Sequence, residues 1–333
     1  MKSPQWIVTL GASAGGVEAL RAVFQSLSAS LDAAFLVVLH LPPHSPSRLD
    51  KVLGAVCSMP VCAPGDGERV RAGHVYVASA DLHLMIEDGR IRQSRGPKEC
   101  RARPSVDVLF RSAAVSHGPA VIGVVLSGML DDGTAGLWAI KDRGGHALVQ
   151  DPAYAMHAAM PSSAIEHVDV DATGTCAELA RRIGEIASGT PRISEAGPAA
   201  RLATENRIAS EGNALQLGVM DMGKVSQYTC PDCHGVLVQI EEGSIVRFRC
   251  HTGHAFSLLA LLAEVNTSID KGLWDTIRAI EERVLLLRQI SKAQAATAAE
   301  AARTFEELAD DAESSIKDLK RLVLDTRLFG RQR

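Results

Sequence analysis

Apolar residues in the first half of the chain come in short unbroken runs rather than in alternation. Trp6-Ile7-Val8-Thr9-Leu10, Phe35-Leu36-Val37-Val38-Leu39 and Val121-Ile122-Gly123-Val124-Val125-Leu126 are the clearest. Such runs read as strands covered on both faces, as in a parallel sheet between helices. Helical spacing intervenes over Val17 to Phe24, from Ser47 to about Val56, from Ser105 to Ser116, and on to about Arg143, and His146 to Gln150 adds a short strand. Val70 to Ala78 and Leu82 to Ser94 read as short antiparallel pieces with Asp88-Gly89 as a hairpin turn. The pattern predicts an α/β fold over residues 1–188, a doubly wound and mostly parallel sheet with a β-hairpin insertion.

Beyond it, Ser, Gly, Pro and Asn scatter around a helical piece near Ala200 to Ile208, which predicts a linker over residues 189–227. Residues 228–262 predict a small cysteine-bearing module with a hairpin from Gly235 to Ile240 and Ile245 to Phe248. From Leu273 to Phe329 there is neither Gly nor Pro. Leu273, Ile277, Ile280, Val284, Leu287 and Ile290 recur at helical steps, as do Phe305, Leu308, Ala312, Ile316, Leu319 and Val323. Residues 263–333 are therefore a long helical tail, an intramolecular hairpin or a coiled coil that pairs two copies as a homodimer.

Composition narrows the partners. The formal net charge is −4 with acids and bases mixed, so no basic stripe marks a nucleic-acid surface, and 4% aromatics offer no stacking platform. No apolar run reaches the ~18 residues of a membrane span, and a short apolar start broken at Gly11 lacks the form of a signal peptide. Seven cysteines at scattered spacing suit reduced thiols plus a metal site better than a disulfide framework, which predicts a cytoplasmic protein.

Chemistry concentrates at Gly11-Ala12-Ser13-Ala14-Gly15-Gly16, between the first strand and the first helix. As a dinucleotide loop it fails, because Ser13 stands where GxGxxG needs glycine and His40, not an acid, follows the second strand. Gly-x-Ser-x-Gly between a strand and a helix instead fits a nucleophile turn, and on the stretch alone a helix-capping serine fits equally. Ser13, His40 and the Asp131/Asp132 pair all fall just past the carboxyl ends of predicted strands, where open α/β sheets place their sites. Serine, imidazole and carboxylate on one sheet edge are the parts of a hydrolytic triad, though their chain order differs from that of α/β-hydrolases.

These motifs, with Leu39-His40-Leu41-Pro42, Arg103-Pro104-Ser105-Val106-Asp107, Leu126-Ser127-Gly128-Met129, Asp132-Gly133 and Gln150-Asp151-Pro152, resemble the catalytic domain of CheB-type chemotaxis receptor methylesterases. The resemblance covers about residues 5 to 188. It implies hydrolysis of glutamyl methyl esters on methyl-accepting chemotaxis receptors with release of methanol, and in many members deamidation of receptor glutamines. By position, Ser13 resembles the nucleophile, His40 the general base and Asp132 the orienting acid, with backbone N–H groups of Ala14 and Met129 as the oxyanion hole. No cofactor is implied for catalysis. Asp131 is then a cap or loop charge, and Ser105 and Asp107 read as a helix cap and first turn. About five residues precede the first strand, so the family's receiver domain is not expected within this sequence, and a separate regulatory or signalling protein becomes a candidate partner. The rival reading is a catalytically vestigial scaffold that binds partners through the cysteine module and the helices.

In that module Cys230-Pro231-Asp232-Cys233 and Cys250-His251-Thr252-Gly253-His254 put two knuckles at zinc-ribbon spacing. Cys230, Cys233, Cys250 and His254 are the expected ligands of a structural zinc, with His251 or His234 able to replace His254 on spacing alone.

Overall fold

The computed structural model describes residues 3–28, 30–42, 47–192 and 199–325. The first half forms β1 (Trp6–Ala12), α1 (Gly16–Ser26), β2 (Ala33–Leu39), α2 (Leu49–Gly54), β3 (Val61–Cys62), β4 (Val75–Val77), β5 (His83–Glu87), β6 (Arg90–Ser94) and α3 (Val106–His117). There follow β7 (Val121–Val125), α4 (Thr134–Asp142), β8 (His146–Gln150), α5 (Ala159–His167), β9 (Ala172–Gly174) and α6 (Cys176–Ala187). Seven of these strands make one parallel sheet in the order β3-β4-β2-β1-β7-β8-β9.

Every residue of β1, β2 and β7 is buried, which is why their sequences run apolar without alternation. One face packs Leu20, Val23 and Phe24 of α1 and Leu179 and Ile183 of α6, and the other packs Leu109 and Phe110 of α3 with Leu137 and Ile140 of α4. The antiparallel hairpin β5–β6 turns at Asp88-Gly89 as the sequence predicts. Val70 to Ala78 does not: its core is β4, which joins the main sheet parallel to β2, because Val75, Tyr76 and Val77 are buried on both faces. The proline-bounded loop at Leu41–Pro46 lies largely outside the described residues.

The chain winds outward from β1 through β2, then crosses back to place β7 on β1's other side. β1 and β7 therefore flank the switch point, whose crevice opens at their carboxyl ends. Gly11 lies close against the start of α3: a Cβ there would lie 2.1 Å from Val106 Cγ1. Gly11→Ala is expected to lower stability by about 1–3 kcal/mol through overpacking. Urea unfolding should show a lower midpoint at unchanged slope.

The segment read as a linker carries α7 (Ala200–Glu211), packed on α3 and β6. The cysteine module is a four-stranded antiparallel sheet of β10 (Lys224–Thr229), β11 (Val236–Glu242), β12 (Ile245–Cys250) and β13 (Ala255–Ser257). It belongs to the same compact unit as the large sheet, residues 1–261. Buried ion pairs join them: Arg111 of α3 and Arg249 of β12 both bind Glu99, and Arg247 of β12 binds Glu205 of α7 and Glu242 of β11. Burial opposes ionisation of Glu99 and Glu205, yet these arginines outweigh it and hold both carboxyls below the ordinary range. The stability they contribute is thus present above the unfolded glutamate value near about pH 4.3, and is lost as pH falls through the lower folded values.

Residues 262–333 form a second unit. It contains most of α8 (Leu258–Gln294), which starts earlier than the tail pattern implies, and α9 (Ala299–Leu324). Ile277 and Val284 of α8 pack with Ala309, Ala312, Ile316 and Val323 of α9, and Lys320 pairs with Glu281 at 2.7 Å, so the two helices form a hairpin within one chain. Residues 326–329 of the expected second helix lie outside the described residues. No helix among the described residues is long and apolar enough to cross a membrane.

Candidate active site

At the crevice, the sharp turn after β1 ends in Gly15 at φ 71°, a left-handed conformation that side chains resist. The turn is stitched to the loop after β7. Ser13 N–H donates to the Ser127 carbonyl at 2.9 Å, and the Ser127 hydroxyl donates to the Ala14 carbonyl at 2.8 Å. Ser127 N–H in turn donates to Gln150 at the end of β8. These contacts fix the Ser13 hydroxyl above the strand ends.

His40 follows β2, the strand beside β1. Its Nδ1 lies 3.1 Å from Ser13 Oγ and its Nε2 lies 2.7 Å from Asp132 Oδ2. Since an ionised carboxylate only accepts, the imidazole proton sits on Nε2 and the Nδ1 lone pair faces the serine. The three side chains named from sequence thus form one hydrogen-bonded chain.

Asp132 is only 3% exposed and sits at the N-terminus of α3. Its Oδ2 also accepts from Val106 N–H at 2.8 Å, and its Oδ1 from Asp107 N–H and the Ser105 hydroxyl, both at 3.0 Å. Burial would raise the Asp132 carboxyl. The His40 hydrogen bond and the helix N–H groups outweigh it and hold the carboxyl below its ordinary range. Ser105 therefore does not cap α3 with its own side chain. The carboxylate of Asp132 does that from another loop, and Ser105 secures the carboxylate.

Asp107 works in the opposite direction, its Oδ1 accepting from Gly133 and Gly136 N–H at the start of α4. Burial and the neighbouring Asp132 charge push the Asp107 carboxyl well up. Asp131 points away, accepting from the Ser257 hydroxyl of β13 at 2.6 Å. Among the described residues neither Ala14 N–H nor Met129 N–H donates to another group, whereas Gly128 N–H is taken by the His157 carbonyl.

A cleft of about 370 Å³ opens over Ser13 and His40, walled by Leu41, Pro42, Met129, Leu130 and the segment Lys98 to Arg103. Lys98 to Ala102 carries no sequence motif, yet it brings Lys98 and Arg101 to the cleft beside Arg103, which opens the Arg103-Pro104-Ser105 motif. Arg103 is held by Asp81 at 2.7 Å and by the Gly96 carbonyl. Buried His83 spans the segment's flanks, with Nε2 2.9 Å from the Pro97 carbonyl and Nδ1 accepting from Ser105 N–H.

The family profile described as CheB methylesterase matches residues 8–183, more than half of the chain and the whole of this crevice. The chain belongs to the CheB methylesterase family. A Yersinia pestis protein named protein-glutamate methylesterase/protein-glutamine glutaminase is 38% identical over 192 residues, covering 56% of this chain and 55% of its own. A Leptospira interrogans protein with the same name, marked putative, is 37% identical over 165 residues, covering 49% of this chain and 86% of its own. The crystal structure of the Thermotoga maritima CheB methylesterase catalytic domain matches with a TM-score of 0.52 at 30% identity, over 54% of this chain and 98% of that domain. The chain spans about half the length of the Yersinia relative.

Outside the CheB-matching region, the ligand atoms of Cys230, Cys233, Cys250 and His254 all lie within 4.8 Å of one another. Cys233 Sγ is 3.6 Å from Cys250 Sγ, and His254 Nδ1 is 3.6 Å from Cys250 Sγ and 3.7 Å from Cys230 Sγ. Zn–S bonds of ~2.3 Å and Zn–N bonds of ~2.0 Å meeting at the tetrahedral angle require edges of about 3.8 and 3.5 Å, so the donor set fits. Asp232 approaches His254 Nε2 at 4.0 Å, on the side away from the thiols. His251 packs instead against Gly235, where a Cβ would meet its ring at 2.0 Å.

Proposed function

We propose that the chain hydrolyses glutamyl methyl esters on chemoreceptor-type proteins. The observation that carries this reading is the Ser13–His40–Asp132 hydrogen-bonded chain at the switch-point crevice. Ser13 Oγ attacks the ester carbonyl while His40 Nδ1 takes its proton, and Asp132 holds the proton on Nε2 and stabilises the imidazolium that forms. The oxyanion falls to the uncommitted N–H groups of Ala14 and Met129, beside the positive end of α1. His40 then returns the proton to the leaving methoxide, methanol departs, and an acyl-enzyme on Ser13 remains. Water, activated by the same nitrogen, releases the glutamate. A glutamine side chain presents the same carbonyl with ammonia as leaving group, so deamidation uses the same groups.

A fluorophosphonate should label Ser13 stoichiometrically, as read by mass spectrometry of the peptide. Absence of adduct, or an adduct elsewhere, would remove the reading.

The cysteine cluster is assigned as a structural zinc site, since four protein donors leave no open position for substrate. Cys230, Cys233, Cys250 and His254 Nδ1 would hold the ion and tie the two knuckles together. Purified protein is expected to carry about one equivalent of zinc. A Cys230→Ser, Cys233→Ser double variant that retains full metal content would contradict the assignment. Reduced cysteines accord with a cytoplasmic setting.

A further inference from the structure

The wall of the cleft contains a turn that its own sequence does not favour. Glu99-Cys100-Arg101-Ala102 closes with Ala102 N–H to Glu99 O at 2.9 Å, and both central residues are left-handed, Cys100 at φ 48° and Arg101 at φ 69°. Turns of this kind take Gly, Asn or Asp at these positions, because a Cβ is disfavoured there. Something outside the turn holds it.

Arg111 of α3 binds the Glu99 carboxylate at 2.8 Å, and the remaining holding groups come from the cysteine module. Cys100 N–H donates to the Ala255 carbonyl at 2.8 Å, and Ala255 N–H donates to the Lys98 carbonyl at 3.1 Å. Glu99, 1% exposed, accepts from Arg249 at 2.8 Å, and the same guanidinium donates to the Gly253 carbonyl at 2.8 Å. Gly253 lies inside the Cys250–His254 knuckle at φ 103°, so close to Pro97 that a Cβ would come within 2.7 Å of its Cγ. Cys250 N–H to His254 O at 2.9 Å closes the knuckle. Arg249 and Ala255, the residues that grip the turn, therefore stand directly next to two of the four proposed zinc ligands, Cys250 and His254.

The geometry points to the metal knuckle as a working part of the catalytic cleft, fixing the Lys98–Arg103 wall through Arg249 and Ala255. Glu99 is its positioning residue. The triad is held differently, by the ends of β1 and β2, the loop after β7 and the start of α3, and among the described residues no side chain of the module bonds to Ser13, His40 or Asp132. Losing the ion frees the knuckle, lets the turn relax from its left-handed conformation, and moves Lys98 and Arg101 away from the substrate's path. Ser13 keeps its base. This inference rests on reading the cleft as the esterase site and the cluster as a zinc site.

The test is amide hydrogen exchange of the full chain with zinc bound and after stripping by a strong chelator, with metal content measured in both. Removal should speed exchange over residues 98–102 by about tenfold or more while β1 and β7 stay protected. The KM for methylated receptor should rise about tenfold, whereas fluorophosphonate labelling of Ser13 should change less than about twofold. Unchanged exchange at 98–102 after verified metal loss would overturn the inference, as would a protein that never holds zinc. Should stripping unfold the whole unit, Arg249→Lys decides: a point charge cannot span Glu99 and the Gly253 carbonyl as the planar fork does. That variant should keep its zinc and show the same faster exchange, and unchanged exchange there would equally overturn the inference. Because exchange needs no turnover, an inactive protein with a zinc-dependent turn would sink the esterase reading alone.

Discussion

Ser13→Ala is expected to lower methanol release from methylated receptor by at least about 10⁴-fold, with KM nearly unchanged. The hydroxyl supplies the bond that carries the acyl group, and among the described residues lining the cleft the one thiol is Cys100, which burial pushes well up. Residual turnover should come from the Ala14 and Met129 N–H groups and from binding. The fold should survive. Ser13 holds its place through backbone hydrogen bonds to Ser127 and Gly16, not through its side chain. A variant with wild-type kcat would mean that the nucleophile lies elsewhere.

Asp132→Asn is expected to cost on the order of 10³- to 10⁴-fold in kcat and, unlike the serine variant, stability as well. Both carboxylate oxygens accept from N–H groups: Oδ2 from His40 and Val106, Oδ1 from Asp107. An amide can present its NH₂ to only one side, and either choice fails. Toward His40, it opposes Val106 N–H and forces the imidazole proton onto Nδ1, where it blocks the serine. Toward α3, it opposes Asp107 N–H at a buried position, at about 1–3 kcal/mol for the unmade bond. Kinetics and urea unfolding of one variant separate the outcomes. Loss of activity at unchanged stability would indicate the first orientation with local relaxation, and loss of neither would show that the charge of Asp132 is not used.

The sheet was legible because a strand buried on both faces must be apolar throughout, and β1, β2 and β7 are. Ser13, His40 and the Asp131/Asp132 pair were legible because open α/β sheets collect their sites at strand ends, and the resemblance to the methylesterases singled out Asp132. Val75–Val77 misled for the converse reason: a three-residue strand is too short for its apolar run to report which neighbour it pairs with. The supporting residues were hidden more deeply. Ser105 looked like a cap because serine before a helix usually is one, and only the fold brings Asp132 to that helix end. The Cys100-Arg101 turn has no glycine or asparagine to announce its left-handed backbone, since its conformation is imposed from residues 249–255. No local pattern links Glu99 to a partner 150 positions away.

The most direct measurement is mass spectrometry of methylated chemoreceptor incubated with the chain, scoring each glutamyl methyl ester while methanol is assayed in the same sample. The account predicts that esters become free glutamates with one methanol released per ester lost, and that Ser13→Ala leaves both at background. Intact receptor esters beside a chain whose Ser13 reacts fully with a fluorophosphonate would contradict it, leaving an active serine whose substrate is something else.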